Sequence, residues 1–160
     1  MPLLLVVLIS FTRYRQGGLD VVVTGYKDEF EELAIAFMDQ WGNRTPIAWS
    51  NSAFTPPNPP RCWVRFTIIN STATRRTIGT PTQNRATYPG RVVIQVFAPR
   101  NGGDIEIRGH ADRVAEIFRG FKAQNFRFAL PSIVAVDAIT GDEWRQINVD
   151  CPFQRDVFHA

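Results

Sequence analysis

Few residues of this chain have side chains suited to catalysis or metal binding. Its 160 residues include two cysteines, Cys62 and Cys151, and two histidines, His110 and His159. Thiolates and imidazoles are common nucleophiles, proton-transfer groups and zinc ligands. No spacing among these residues matches a Ser/His/Asp, Cys/His or zinc-binding pattern. The sequence therefore predicts no catalytic residue, no metal site and no cofactor.

Two further features have simple structural explanations. Acidic residues cluster near Glu29 in the first predicted helix, and we expect them all on its solvated face. Gly102-Gly103 precedes the second predicted helix. This pair lacks the remaining residues of the phosphate-binding pattern G-x-x-x-x-G-K-[ST], so we predict a turn.

The distribution of charge is the unusual feature of the sequence. No aspartate or glutamate occurs between Asp39 and Asp104. The eight arginines of that stretch are Arg44, Arg61, Arg65, Arg75, Arg76, Arg85, Arg91 and Arg100. A segment of one charge sign predicts a positive surface, and arginine suits fixed contacts with carboxylates or phosphates. The alternative is a solubilising loop.

Hydrophobic periodicity indicates the elements that carry these residues. Apolar residues spaced by three and four predict helices over Tyr26–Trp41 and from Asp104 to near Lys122. Alternation predicts strands, which are Ile47–Trp49, Cys62–Ile69, Arg91–Ala98, Ile133–Ala138 and Trp144–Cys151. Pro152-Phe153 should end the last strand, since proline cannot donate to a sheet ladder. Asn70–Gly90 lacks periodicity and is predicted to be a long loop that becomes ordered in an assembly.

These elements predict one α+β domain over residues 26–160. We expect a mainly antiparallel or mixed sheet of four to five strands, with two amphipathic helices packed on one face. Residues 1–25 are predicted to be an N-terminal extension outside this domain. A misassigned start near Val21–Val23 and an N-terminal strand remain alternative explanations of that extension.

Several aromatic and proline landmarks give the chain a resemblance to the phage tail terminator-like family. This family comprises relatives of the lambda-type minor tail protein that closes the tail tube. The resemblance spans about residues 27–154. Its landmarks are Trp49-x-Asn51-x-x-Phe54-Thr55-Pro56-Pro57, Trp63-Val64-Arg65, the run Arg91–Phe97, the helix with Ala111, Ile117 and Phe118, Trp144-x-Gln146-x-Asn148-Val149 and Pro152-Phe153.

The resemblance implies a structural virion protein and not an enzyme. Such a protein forms a hexameric ring on the tail tube, ends tube polymerisation and presents a joining surface to the head. The implied partners are further copies of the chain, the tail tube protein and a head–tail connector or head-closure protein. Genomic DNA passes through the ring without sequence-specific binding. The implied location is the head-proximal end of the tail, after assembly in the host bacterial cytoplasm, with no membrane partner.

Three other interpretations remain open at this point. The chain could be a head-closure or neck protein of the same virion, or a small nucleic-acid-binding module that uses the arginines. An enzyme with Cys62 or His110 as catalyst is a third alternative, which no spacing supports.

A ring requires contacts between neighbouring subunits, and several residues are candidates for them. We predict that Trp63 or Trp144 lies at a subunit interface, where tryptophan and arginine are enriched. The candidate subunit or DNA-lumen contacts are Arg65, Arg75, Arg76, Arg85 and Arg91. Glu31 and Glu32 of a neighbouring subunit are the predicted acidic partners. Tight phosphate binding would hinder passage of DNA, which favours subunit contacts for some of the arginines.

Overall fold

Two helices and seven strands make up the described part of the chain, which is residues 22–76, 84–136 and 143–159 of a computed structural model. The helices are α1 (Tyr26–Trp41) and α2 (Ile105–Gly120). The strands are β1 (Ile47–Trp49), β2 (Trp63–Asn70), β3 (Thr74–Arg75), β4 (Asn84–Pro99), β5 (Phe126–Phe128), β6 (Ser132–Val136) and β7 (Trp144–His159). The predicted α+β class is confirmed.

The strands form one mixed sheet in the order β1-β2-β4-β7-β5. Strand β3 also pairs with β4, and β6 also pairs with β7. Only the β1–β2 pairing within this described sheet is parallel. The prediction of four to five strands was wrong, because the sheet has seven. The two-residue β3 and the three-residue β5 are too short to show an alternating pattern.

The centre of the sheet is a long antiparallel pair, β4 with β7. Each strand has 16 residues, paired from Asn84 opposite His159 to Pro99 opposite Trp144. The predicted strands covered only half of this pair. Strand β4 begins before Arg91, inside the segment predicted to be a loop, and β7 continues beyond Pro152. Residues 77–83 of that segment lie outside the described residues.

Strands β4 and β7 each contain an interior proline, Pro89 and Pro152, and the hydrogen-bond pattern explains why the sheet tolerates them. The carbonyl of Pro89 accepts from Ser71 N–H, and that of Pro152 accepts from Ala129 N–H, each at 2.9 Å. The amide and carbonyl of a strand residue point to the same neighbour. The missing donor of Pro89 therefore faces the gap between β2 and β3, and that of Pro152 faces the gap between β5 and β6. The β4–β7 ladder needs neither donor.

Alternation along the strands separates the sheet into two faces. On the helix face, α1 and α2 cover a core that includes Val64, Phe66, Ile94 and Val149. The helices contribute further buried residues, among them Leu33, Phe37, Trp41, Ile107, Val114 and Phe118. The opposite face, which we call the open face, carries a smaller cluster built around Trp63 and Phe97. The prediction that both helices pack on one face is confirmed.

The expectation that every carboxylate of α1 is solvated was wrong for Glu29, which is buried. Its side chain and that of Arg155 are both 1% exposed, and Arg155 Nε donates to Glu29 Oε2 at 2.8 Å. Asn70 Nδ2 donates to the other carboxylate oxygen at 2.6 Å. The guanidinium also lies 5.4 Å from the Tyr26 ring centre and 4.7 Å from that of Tyr88. Arg155 lies beyond the predicted end of β7, so its role in burying Glu29 was missed.

The predicted N-terminal extension lies mostly outside the described residues, which begin at Val22. Val23 is fully buried in the core. Its amide donates to Asn125 Oδ1 at 3.1 Å, and its carbonyl accepts from Asn125 Nδ2 at 2.6 Å. The chain is therefore fixed to the sheet just before α1. In the described residues, neither helix is long and apolar enough to cross a membrane.

Candidate assembly interface

The open face gathers most of the residues predicted to make subunit contacts. Trp63 and Arg65 lie at odd positions of β2, which pair with odd positions of β4. Arg85 and Arg91 are odd positions of β4, and Trp144 is opposite Pro99 on the same face. Successive strand residues alternate between faces. The strand register thus brings together five side chains that are far apart in the sequence.

One end of the open face is aromatic. The rings of Trp63 and Phe97 are stacked with centres 4.0 Å apart. The ring centre of Phe54, in the proline-rich connector between β1 and β2 (residues 50–62), lies 4.9 Å from that of Trp63. Trp144 meets Trp63 edge-on with ring centres 5.9 Å apart. The Arg65 guanidinium lies 5.6 Å from both the Trp63 and Phe97 ring centres. We call Phe54, Trp63, Phe97 and Trp144 the aromatic cluster.

The two tryptophans of this cluster differ in burial. Trp63 is 4% exposed, covered by residues of its own chain, whereas Trp144 is half-buried. Trp63 Nε1 is buried and has no acceptor among the described residues. The interface prediction for these residues stays a prediction, and Trp144 is the member with surface left to contact another subunit.

Acidic residues of β7 approach the arginines of β4. Arg91 Nη1 lies 3.2 Å from Asp150 Oδ2. Arg85 and Arg127 both contact Asp156 Oδ2, while Thr87 Oγ1 donates to its other oxygen at 2.6 Å. The acid-free stretch of the sequence is therefore partly neutralised in the fold, because antiparallel pairing supplies carboxylates from β7.

These partners lower the pKa of the Asp156 carboxyl group. Burial raises its pKa, but hydrogen bonds from Arg85 and Thr87 and the charges of Arg85 and Arg127 outweigh this effect. The net result is a pKa below the ordinary value of an aspartate. Asp156 therefore remains ionised and holds the two guanidinium groups on the open face.

Arg75 and Arg76 have a different environment. Arg75 lies in β3 opposite Ala86, which places it on the helix-face side of the sheet, and Arg76 follows it. Both side chains are exposed. Arg76 is tied to the sheet through its amide, which donates to Arg85 O at 2.9 Å. Within the described residues neither side chain has an ion-pair partner. These are the candidate arginines with most surface left for an outside partner.

The predicted acidic partners lie on the other side of the sheet. Glu31 is on α1 and pairs with Lys27 at 3.3 Å, and Glu32 follows it on the same helix. Since α1 covers the helix face, these carboxylates do not meet the open face of their own subunit. Contact between them and the arginines of the open face requires a second subunit.

The fold also brings a buried cysteine close to a carboxylate and an imidazole of α2. Cys62, just before β2, lies near Glu106 and His110 of α2, with one ligand atom of each within 4.8 Å of the others. Burial and the negative charge of Glu106 raise the pKa of the Cys62 thiol to about 12. Burial and Arg44 lower the pKa of His110 despite the opposing effect of Glu106. A buried thiol that stays protonated is a poor nucleophile.

Known proteins provide two comparisons with this chain. The model of a family described as phage tail terminator protein matches residues 29–149. One solved structure is 17% identical to this chain, with a TM-score of 0.54. That likeness covers 82% of this chain and 96% of the other, and it concerns the fold alone. No curated protein matches the sequence.

Proposed function

The chain belongs to the phage tail terminator protein family, and from this premise we propose that it caps the tail tube as a ring. The family indicates a structural role in a phage tail. In the proposal, the ring is a hexamer that ends tube polymerisation and forms the surface to which the head binds. The observation that carries it is the family match over residues 29–149.

The two faces of the sheet support assembly into a closed ring. One face is covered by helices that carry Glu31 and Glu32, and the other carries arginines and the half-buried Trp144. A ring places one surface of each subunit against a different surface of the next. We propose that the open face of one subunit meets α1 of its neighbour, so that unlike charges are brought together.

Arg75 and Arg76 have a separate role in the proposed ring, because Arg75 lies on the helix-face side of the sheet and not on the open face. They are exposed, whereas Arg85 and Arg91 already contact Asp156 and Asp150 of their own chain. We propose that Arg75 and Arg76 bind carboxylates of the adjacent subunit. Their charges can be satisfied there without holding the phosphates of the DNA that passes through the ring.

Charge reversal tests the proposal. The double variant Arg75→Glu/Arg76→Glu should fold normally, because surface substitutions usually change stability by less than about 0.5 kcal/mol. It should fail to form rings when mixed with tail tubes, so electron microscopy should show tubes of uncontrolled length. The matched control is Arg119→Glu/Lys122→Glu, which makes the same charge change at the end of α2.

The possible outcomes separate the proposed functions. Normal rings and normal virion yield in the Arg75/Arg76 variant would refute the assembly role of these arginines. Tubes of normal length in a phage that lacks the protein would refute tube termination and favour a head-closure or neck role. Salt-sensitive DNA binding by the wild type, lost in the Arg75/Arg76 variant but kept in the control, would favour a nucleic-acid-binding module.

A further inference from the structure

Cys62, Glu106 and His110 form a group of metal-ligating side chains that the proposed assembly role does not use. They come from separate elements: Cys62 ends the proline-rich connector, and the other two lie one turn apart on α2. His110 Nε2 is 3.7 Å from Glu106 Oε1. The three ligand atoms, one from each residue, all lie within 4.8 Å of one another. We propose that these three side chains bind a zinc ion.

The donor set fits zinc better than magnesium or calcium. Zinc takes sulfur, imidazole nitrogen and carboxylate oxygen in tetrahedral sites, whereas magnesium and calcium require mainly oxygen. Bond lengths to zinc put tetrahedral ligand atoms roughly 3.3 to 3.6 Å apart. The group must therefore contract by about 1 Å. The side chain of Glu106 is 72% exposed and can turn toward the other two.

Packing fixes the positions of Cys62 and His110. Cys62 is 3% exposed, and the His110 ring packs 5.5 Å from the Trp41 ring, so both side chains are held in place by the core. A ring nitrogen of His110 is one of the three candidate ligand atoms. When the ion binds, a zinc–sulfur bond forms and the thiol proton is released to solvent, with no change in oxidation state. Three protein ligands leave the fourth position to water.

The proposed ion would join the connector to α2. It cross-links the residue before β2 to the first turns of a helix that packs on the same sheet. Binding to the folded state alone raises the stability of that state. Zinc should therefore increase the melting temperature of the full chain, and chelation should reverse the increase.

Cobalt provides a spectroscopic probe, because a Co²⁺ ion in a zinc site gives a thiolate charge-transfer band and visible bands of tetrahedral coordination. Titration of the full-length protein should saturate at one equivalent. Cys62→Ser should abolish the charge-transfer band, and His110→Gln and Glu106→Gln should each weaken binding at least tenfold. The control is Cys151→Ser, which alters the other buried cysteine and should leave the bands unchanged.

Each result decides the proposal. Absence of the thiolate band in the wild type, or its persistence in Cys62→Ser, would overturn it. Loss of the band in Cys151→Ser would assign the ion to a different place. Glu106 is exposed, so its variant will fold, and unchanged affinity in Glu106→Gln would refute the three-ligand site. A zinc-dependent rise in melting temperature in the wild type and in Cys151→Ser, absent in Cys62→Ser, would support it.

Discussion

Charged side chains of β7 are buried on one face of the sheet and partly exposed to solvent on the other, as two neighbouring residues show. Arg155 points to the helix face and is enclosed with Glu29, both 1% exposed. Asp156 points to the open face, where Arg85 and Arg127 reach it from the surface with exposures of 37% and 65%. The same strand therefore carries a buried ion pair on one side and a solvent-accessible cluster on the other.

This difference shows which face completes the fold of the single subunit. On the helix face, α1 and α2 exclude water from Glu29 and Arg155, and these two buried charges are partners of each other. On the open face, charged and aromatic side chains keep accessible surface after the subunit has folded. We therefore expect changes on the helix face to act mainly on stability, and changes on the open face to act mainly on assembly.

The largest effect on stability should come from breaking the buried pair. Arg155→Met leaves the Glu29 carboxylate enclosed without its cation, which should lower the free energy of unfolding by about 3–5 kcal/mol. Urea denaturation of the purified variant measures this loss. Exposed ion pairs contribute up to about 1 kcal/mol, so a smaller loss than this would contradict burial of the pair away from solvent.

The double variant Glu29→Leu/Arg155→Met is the control for this prediction. It replaces both charges by apolar side chains, and such replacements are often neutral or stabilising. We expect it to recover most of the stability lost in Arg155→Met. If both variants are equally unstable, packing against Tyr26 and Tyr88 and not charge pairing explains the role of Arg155.

The aromatic cluster provides the next comparison, between a buried and a half-buried tryptophan on the open face. Trp63→Ala should cost about 3 kcal/mol of unfolding free energy, as expected for a large buried aromatic side chain. Trp144→Ala should cost about 1 kcal/mol, because part of its surface is already solvated. Urea denaturation of the two variants side by side measures both values.

The effect of Trp144→Ala on assembly can be measured directly, because this variant should remain folded. Trp144→Ala should impair ring formation on tail tubes, whereas Trp144→Phe should keep most of it by preserving an aromatic contact. Normal rings with Trp144→Ala would remove this residue from the subunit interface. Trp63→Ala cannot replace this test, because its loss of stability would itself reduce assembly.

The parts of the fold that the sequence predicted are those set by local patterns. The bounds of α1 follow from its spaced apolar residues, and the inward positions of β2 follow from alternation. The full length of β4 and β7 could not be predicted, since Pro89 and Pro152 are tolerated only because of gaps in the strands beside them. Local sequence contains no information about those gaps.

The candidate sites show the same limit. The arginine-rich stretch was visible in the sequence, but Asp150 and Asp156 reach it only through pairing of β4 with β7. The proximity of Cys62 to His110 could not be predicted, because β3 and β4 lie between β2 and α2 in the sequence. Contacts between distant segments depend on topology and register, which single-sequence periodicity does not determine.

The smallest expected effect concerns Asp156 and depends on pH. Asp156→Asn removes the charge that holds Arg85 and Arg127, and we expect a loss of about 1 kcal/mol at neutral pH. The pKa of Asp156 is depressed in the folded protein, so its stabilising contribution is complete above the unfolded pKa. That contribution disappears as the pH falls through the folded pKa, which lies below the ordinary value of an aspartate.

Urea denaturation of the wild type and Asp156→Asn across this range tests the sign. The two curves should differ at neutral pH and converge in acid, because protonation of the wild-type carboxyl group makes it resemble the amide. The exposed Asp39→Asn provides the same chemical change away from the cluster and should match the wild type at neutral pH. A difference between wild type and Asp156→Asn that grows as the pH falls would contradict a depressed pKa. The open-face cluster would then not stabilise the folded subunit through an ionised Asp156.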